Sequence, residues 1–291
     1  MARRSLTAAE RAAIVRVLET PTFELLPLKN AEEQAAHLPP AATVSVTASP
    51  AKGIEATIDL CERLRALGFG VVPHLSARMI RDRAHLQALL ERLTAIAVRR
   101  AFVVGGDADT PGEFLDGLSL LRAMDELGAF ETLTDIGVPC YPDGHATIPD
   151  DALRQALLDK QPYASSMTTQ MCFDPTTIAG WLWERRAAGV TLPAVIGLPG
   201  VAELHKLMLI SARIGVADSK RFLSKNTRLV GRLVRPGGYS PHALLEGLAS
   251  SIADPAADIR GLHLYTFNQV ETTEEWRRRY LGRLAEMSTA A

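Results

Sequence analysis

A single (β/α)8 TIM barrel of the α/β class is the architecture this sequence predicts, and three observations carry it. Eight short apolar or β-branched runs alternate with longer stretches whose apolar residues recur at helical spacing. Parallel strands need crossover helices, so alternation of this kind implies a parallel sheet. The first strand is not followed by the G-x-G-x-x-G turn that marks an open dinucleotide-binding sheet. No Pro/Ser-rich linker or shift in composition interrupts the 291 residues, which places residues 1–291 in one domain.

The elements follow in order. Residues 1–20 carry an N-terminal helix, amphipathic over Ala8–Leu18. Strands are expected at Thr22–Leu26, Thr43–Thr47, Gly70–His74, Ala101–Val104, Gly137–Tyr141, Ser166–Met171, Ala194–Leu198 and Leu262–Phe267. Helices are expected at Ile54–Leu67, Leu86–Ile96, Phe114–Leu127, Asp151–Leu158, Thr177–Ala188, Leu204–Ile214, Pro241–Ile252 and Glu274–Met287. In the first of these, Ile58, Cys61 and Leu64 share one face while Arg63 and Arg65 turn elsewhere. Thr110-Pro111 and Ser240-Pro241 place proline at a first helical position, and Gly68, Gly128 and Gly189 close helices as left-handed caps. Residues 216–260 form an enlarged connection before the last strand. Its basic run over 216–236 reads as a solvated face.

Composition narrows the partners. Lys and Arg total 32 against 33 Asp and Glu, a formal charge of −1, and aromatics are only 5%. Neither a basic patch nor a stacking platform for nucleic acid is indicated. No stretch of about 18 apolar residues exists, so no membrane span is expected. Cys61, Cys140 and Cys172 are odd in number and lack metal-ligand spacing, which fits a cytoplasmic protein with reduced thiols. A small-molecule partner is the expectation, and a homo-oligomer is allowed.

Chemistry in such a barrel sits where the strands end and the βα loops converge. Seven of the eight strands bring a hydrogen-bonding side chain there: Glu24, Thr47, His74, Asp107, Tyr141 with His145, Gln170, and Tyr265 with Asn268. The seventh strand offers backbone, Gly197-Leu198-Pro199-Gly200. Glu24 is flanked by apolar neighbours, so desolvation should raise its pKa and suit it to general acid work. The bland alternative is a Glu paired with Lys or Arg. Asp107 follows Gly105-Gly106, which would let a flat ligand approach the backbone; its bland alternative is a helix N-cap. A metal-assisted hydrolase using His74, His145 and Asp107 lacks the expected H-x-H on strand one, and no metal site is expected. No strand holds the lysine of a Schiff-base aldolase. Cys172, Trp181, Trp183 and His205 read as structural.

The motifs, taken together, resemble methylenetetrahydrofolate reductase. Phe23-Glu24 with Pro27, Val44-Ser-Val-Thr47, Pro73-His74-Leu75, Gly106-Asp107 and Tyr141-Pro-Asp-Gly-His145 come first. Thr169-Gln170 with Phe173-Asp174, Ala187-Ala-Gly-Val-Thr-Leu-Pro193, Gly197-Leu-Pro and His263-Leu-Tyr-Thr-Phe-Asn268 follow in order, so the likeness spans Phe23 to Asn268. The resemblance implies an oxidoreductase interconverting 5,10-methylenetetrahydrofolate and 5-methyltetrahydrofolate. It makes Glu24 the catalytic acid at N10 and Asp107 the carboxylate that steadies developing positive charge. Gln170 and Tyr265, with Asp107, would bind the folate; Thr47, His74, Gly106, Tyr141 and His145 would line the cofactor. FAD is the family's cofactor, with NAD(P)H as hydride donor.

Departures from the family pattern also show. Gly105-Gly106-Asp107 stands where the family has Arg-Gly-Asp, and the lysine expected after strand five has no counterpart in register. Arg154 or Lys160 could take its place only with a shift. The loops after strands two, four and five are short. These departures weaken the diphosphate site and admit direct hydride transfer from a nicotinamide in the flavin space. Two other classes stay open: a folate- or pterin-binding barrel without hydride transfer, and the metal-assisted hydrolase.

Overall fold

The computed structural model describes residues 5–145, 147–201 and 241–289. Eight parallel strands close into a barrel in sequence order: β1 (Thr22–Leu25), β2 (Thr43–Val46), β3 (Gly70–Ser76), β4 (Arg100–Val104), β5 (Asp135–Cys140), β6 (Ser166–Thr169), β7 (Ala194–Pro199) and β8 (Ile259–Tyr265). Closure is made by β1 against β8, with Thr22 opposite His263 and Glu24 opposite Tyr265.

Strand side chains alternate between the barrel interior and the helical layer. In β1, Phe23 and Leu25 are buried toward the helices, and so are Val44 and Val46 of β2 and Leu262 and Leu264 of β8. The intervening positions, Glu24, Ser45 and His263, therefore face inward.

The described helices are α1 (Ala8–Glu19), α2 (Ala31–Ala35), α3 (Gly53–Ala66), α4 (Arg83–Ala95), α5 (Gly117–Glu126), α6 (Asp150–Lys160), α7 (Pro175–Ala187), α8 (Pro241–Ala253) and α9 (Val270–Thr289). In α3, Ile58, Cys61 and Leu64 are fully buried, as their spacing predicts. Thr7 and Glu10 cap α1 reciprocally. Its last turn is tied to α9, where Arg277 donates to the Leu18 carbonyl at 2.8 Å. Gly68, Gly128 and Gly189 all have positive φ, and Pro241 opens α8.

Two expectations are corrected. The helix after β4 does not begin near Pro111. The Gly112 and Glu113 amides donate to the carbonyls of Arg78 and Arg81, so this stretch is bound to the β3–α4 connection rather than coiled. The helix starts instead at Gly117, where Asp116 and Ser119 cap each other. α2 was not anticipated, because its five residues are too short to show a period. The expected helix at Leu204–Ile214, His205 and the basic run over 216–236 lie outside the described residues.

Candidate active site at the barrel mouth

Glu24 lies inside the barrel with 13% of its side chain exposed. Its Oε2 sits 3.1 Å from Nε2 of His263 and 4.0 Å from Nε2 of His74. No Lys or Arg pairs with it among the described residues; its neighbours are imidazoles. His74 is in turn 2.8 Å from the Ser45 hydroxyl, and its ring lies 4.8 Å from Phe102. Burial pushes His74 down to about 4, against the opposing pull of Glu24. This imidazole is neutral at physiological pH.

Tyr265 completes this side. Its hydroxyl donates to the Thr169 carbonyl at 3.0 Å, and its ring meets that of His263 at 4.9 Å. Burial, then Glu24, holds the phenol well above its usual range. Gly197 makes room for the crossing: a Cβ there would come within 2.1 Å of the Thr169 carbonyl and 2.7 Å of the Tyr265 ring. The seventh strand thus contributes an absence of side chain, as its Gly-Leu-Pro-Gly end suggested.

The exit of β1 is strapped down from β8. Buried Asn268 accepts from the Leu26 amide at 2.8 Å and donates to the Leu26 carbonyl at 3.1 Å. That corrects the sequence reading, which turned Asn268 toward the mouth. Its side-chain oxygen pairs the buried Leu26 N–H, and its NH2 group shares the Leu26 carbonyl with the Leu28 amide.

The opposite rim is open. Asp107 and Gln170 are exposed, and Gln170 folds its Oε1 onto the Met171 amide at 2.8 Å. Tyr141 and His145 meet edge-on at 5.3 Å. Burial pushes Tyr141 up to about 12, with Cys140 and Asp107 adding to the shift. The turn before Asp107 needs glycine: Gly106 has φ +88° and a Cβ there would lie 1.9 Å from the Ser76 hydroxyl. Asp107 caps no helix; Asp116 does.

A polar ring-shaped ligand finds partners here. The hydroxyls of Thr47 and Ser76 are buried with no hydrogen-bond partner among the described residues. The diphosphate of a dinucleotide is less well provided for. Among the described residues, Arg78 from the turn after β3 reaches the loop that carries Asp107. Its guanidinium is committed to the Ala108 and Asp109 carbonyls, at 2.8 and 3.3 Å. Arg154 and Lys160 line a shallow cleft between α6 and α7, together with Trp181 and Arg185. The unpartnered hydroxyls at the mouth suit a flavin or nicotinamide ring, and among the described residues no cluster of free cations forms a cradle for the diphosphate of FAD.

His74, His145 and Asp107 do not converge on one point. The described residues whose possible metal-ligating atoms lie together are Glu24, His74 and His263, all within 4.8 Å. They are engaged in hydrogen bonds, Glu24 with His263 and His74 with Ser45. Cys172 is buried and held as a thiol, pushed up to about 12 by burial, as a structural role requires. Trp181 packs on the core, whereas Trp183 is 40% exposed and does not.

His263 and Ser45 are the residues that sequence reasoning passed over. A signal for His263 existed. It stands two positions before Tyr265, so any register that turns one into the barrel turns the other in too.

The profile of one protein family, Methylenetetrahydrofolate reductase, matches residues 28–279. Glu24 lies just ahead of the matched segment, so its place rests on the geometry above. Among solved structures, oxaloacetate acetylhydrolase is similar at 10% identity, with 96% of this chain and 87% of that one covered and a TM-score of 0.53. A Burkholderia cenocepacia protein provisionally called a lyase/mutase shares 12% identity over 97% of this chain and 88% of that one, with a TM-score of 0.48. At 10% identity the first likeness speaks only for the fold. The profile covers most of the barrel in one continuous match, and on that ground the chain belongs to the methylenetetrahydrofolate reductase family, oxidoreductases of folate one-carbon chemistry.

Proposed function

We propose that this protein interconverts 5,10-methylenetetrahydrofolate and 5-methyltetrahydrofolate by hydride transfer, with Glu24 as the general acid. The observation that carries this reading is a carboxyl group inside the barrel, flanked by two imidazoles and, among the described residues, by no Lys or Arg of an ion pair. A carboxyl so placed can hold a proton for a ligand seated in the mouth. In the reductive direction Glu24 gives its proton to N10 as the bond from N10 to the methylene carbon breaks. That bond's electron pair stays on N10, and the ring opens to an iminium at N5. Asp107, on the open rim, steadies the positive charge. Gln170 and Tyr265 orient the pterin, while Thr47, His74, Gly106, Tyr141 and His145 border the adjoining cofactor space. The hydride for the methylene carbon would come from NAD(P)H, and a flavin ring held at the mouth would supply the same hydride chemistry as a relay.

The test is nicotinamide oxidation coupled to methylenetetrahydrofolate. Glu24→Gln is expected to lower turnover by about 10²–10⁴-fold while 5-methyltetrahydrofolate still binds. Full activity in that variant would remove Glu24 from the chemistry. A wild-type protein that binds folate and never oxidises nicotinamide would be a folate-binding barrel instead. The visible spectrum of freshly purified protein decides the route of the hydride. Flavin bands would assign it to FAD, and their absence in an active protein would assign it to the nicotinamide.

A further inference from the structure

We infer that His263 is the positioning residue of the general acid, donating its Nε2–H to Oε2 of Glu24 so that Oε1 alone carries and delivers the proton. The inference rests on the function proposed above, and three observations lead to it. The contact is 3.1 Å and both side chains are nearly buried, 6% and 13% exposed, so water does not compete for that oxygen. His263 is fixed in orientation, its ring packed edge-on to Tyr265 at 4.9 Å and lying 6.3 Å from both Phe102 and His74. The other imidazole cannot take over the task. The Nε2 of His74 is 4.0 Å from Glu24 and already 2.8 Å from the Ser45 hydroxyl.

The proton balance follows. The proton to be delivered is the one on Oε1, while His263 donates from Nε2 to Oε2. The proton leaves Oε1 for N10, and the carboxylate left behind keeps the His263 hydrogen bond, now charge-assisted and stronger. His263 neither gains nor loses a proton. Its contribution grows as the charge develops, which lowers the barrier rather than merely tightening binding. The titratable groups around the pair, among the described residues, are His74 from β3 and Tyr265 from β8, with Cys140 and Tyr141 of the β5 end beyond Tyr265. His74 is held neutral and Tyr265 is held protonated, so neither changes charge near neutral pH.

Two variants separate positioning from packing. His263→Leu keeps bulk but removes the N–H, whereas His263→Gln places an amide N–H close to the position of Nε2. In His263→Leu, kcat at neutral pH is expected to fall about 10- to 100-fold with KM changed by less than threefold. A hydrogen bond to the charged form favours that form, so its loss should move the alkaline limb of the kcat profile to higher pH. His263→Gln should recover most of the rate and restore the limb. A purely structural role would lower the rate without moving the limb, and either an unmoved limb or no recovery in His263→Gln would overturn the inference. An infrared titration of the Glu24 carboxyl, assigned by its disappearance in Glu24→Gln, needs no substrate. If its midpoint rises in His263→Leu while wild type turns over no folate, the positioning role stands and the proposed function falls. If the midpoint does not move, the inference falls whatever the wild type does.

Discussion

The two sides of the barrel mouth are built differently. On the arc from β8 through β1 and β2 to β3, Glu24, His263, His74, Ser45 and Tyr265 interlock over distances of 2.8–4.9 Å, and Asn268 fastens the chain as it leaves β1. Where β4, β5 and β6 end, Asp107 and Gln170 stand in solvent, and the chain is held mainly through backbone. The first side holds the Glu24 carboxyl through several mutual contacts before any ligand arrives, which is what the proposed general acid requires. The second side leaves room for the body of a ligand. Rigidity and access are thus divided between neighbouring arcs of one sheet.

Substitutions can break or sharpen that division. The largest stability effect is expected for Asn268→Ala, which leaves the buried Leu26 amide without its partner and the Leu26 carbonyl with the Leu28 amide alone. A loss of about 2–4 kcal/mol in urea unfolding is expected, part of it because Asn268, at φ +52°, occupies a backbone conformation that alanine tolerates poorly. An unchanged midpoint would mean that this seam is not held by its side chain.

His74 comes next, through pH. Its folded-state value, about 4, lies below the ordinary 6.5, so the unfolded chain binds its proton first as pH falls. The associated stability is complete above about 6.5 and declines as pH drops toward about 4, by at most about 3 kcal/mol. Stability measured across that window should flatten in His74→Gln, and an equally steep decline in both proteins would place the acid sensitivity elsewhere.

The smallest effects belong to the open rim. Gln170→Ala and Asp107→Asn should each leave stability within about 0.5 kcal/mol of wild type, because both side chains are exposed. Gln170→Ala should still weaken folate binding by up to about tenfold, read by intrinsic fluorescence. A marked loss of stability in either variant would show that the rim is not the unburdened surface its exposure indicates.

Much of this was legible along the chain, for physical reasons that differ by element. The strands could be read because β-branched runs and the period of two survive in any register. The helix after β4 could not be placed, because Pro111 imitates a helix start while the amides beyond it are claimed by Arg78 and Arg81, distant in sequence. Glu24 stood out as a charge among apolar neighbours. Its partner His263 lies 239 positions away, and only closure of the barrel brings the two together. Asn268 shows the converse: a polar residue beside the mouth is turned by its backbone toward Leu26.

By itself, the sequence determined the alternation of strands and helices, the order of the polar strand ends and the family to which the chain belongs. These are local or ordered properties, carried by residue type and spacing. Only the tertiary structure decided which of those polar ends act together. The register between β1 and β8, the glycine that lets Tyr265 cross to β6 and the burial of both imidazoles all depend on a sheet that closes on itself. Closure brings together residues from the two ends of the chain, and no spacing along it records their distance.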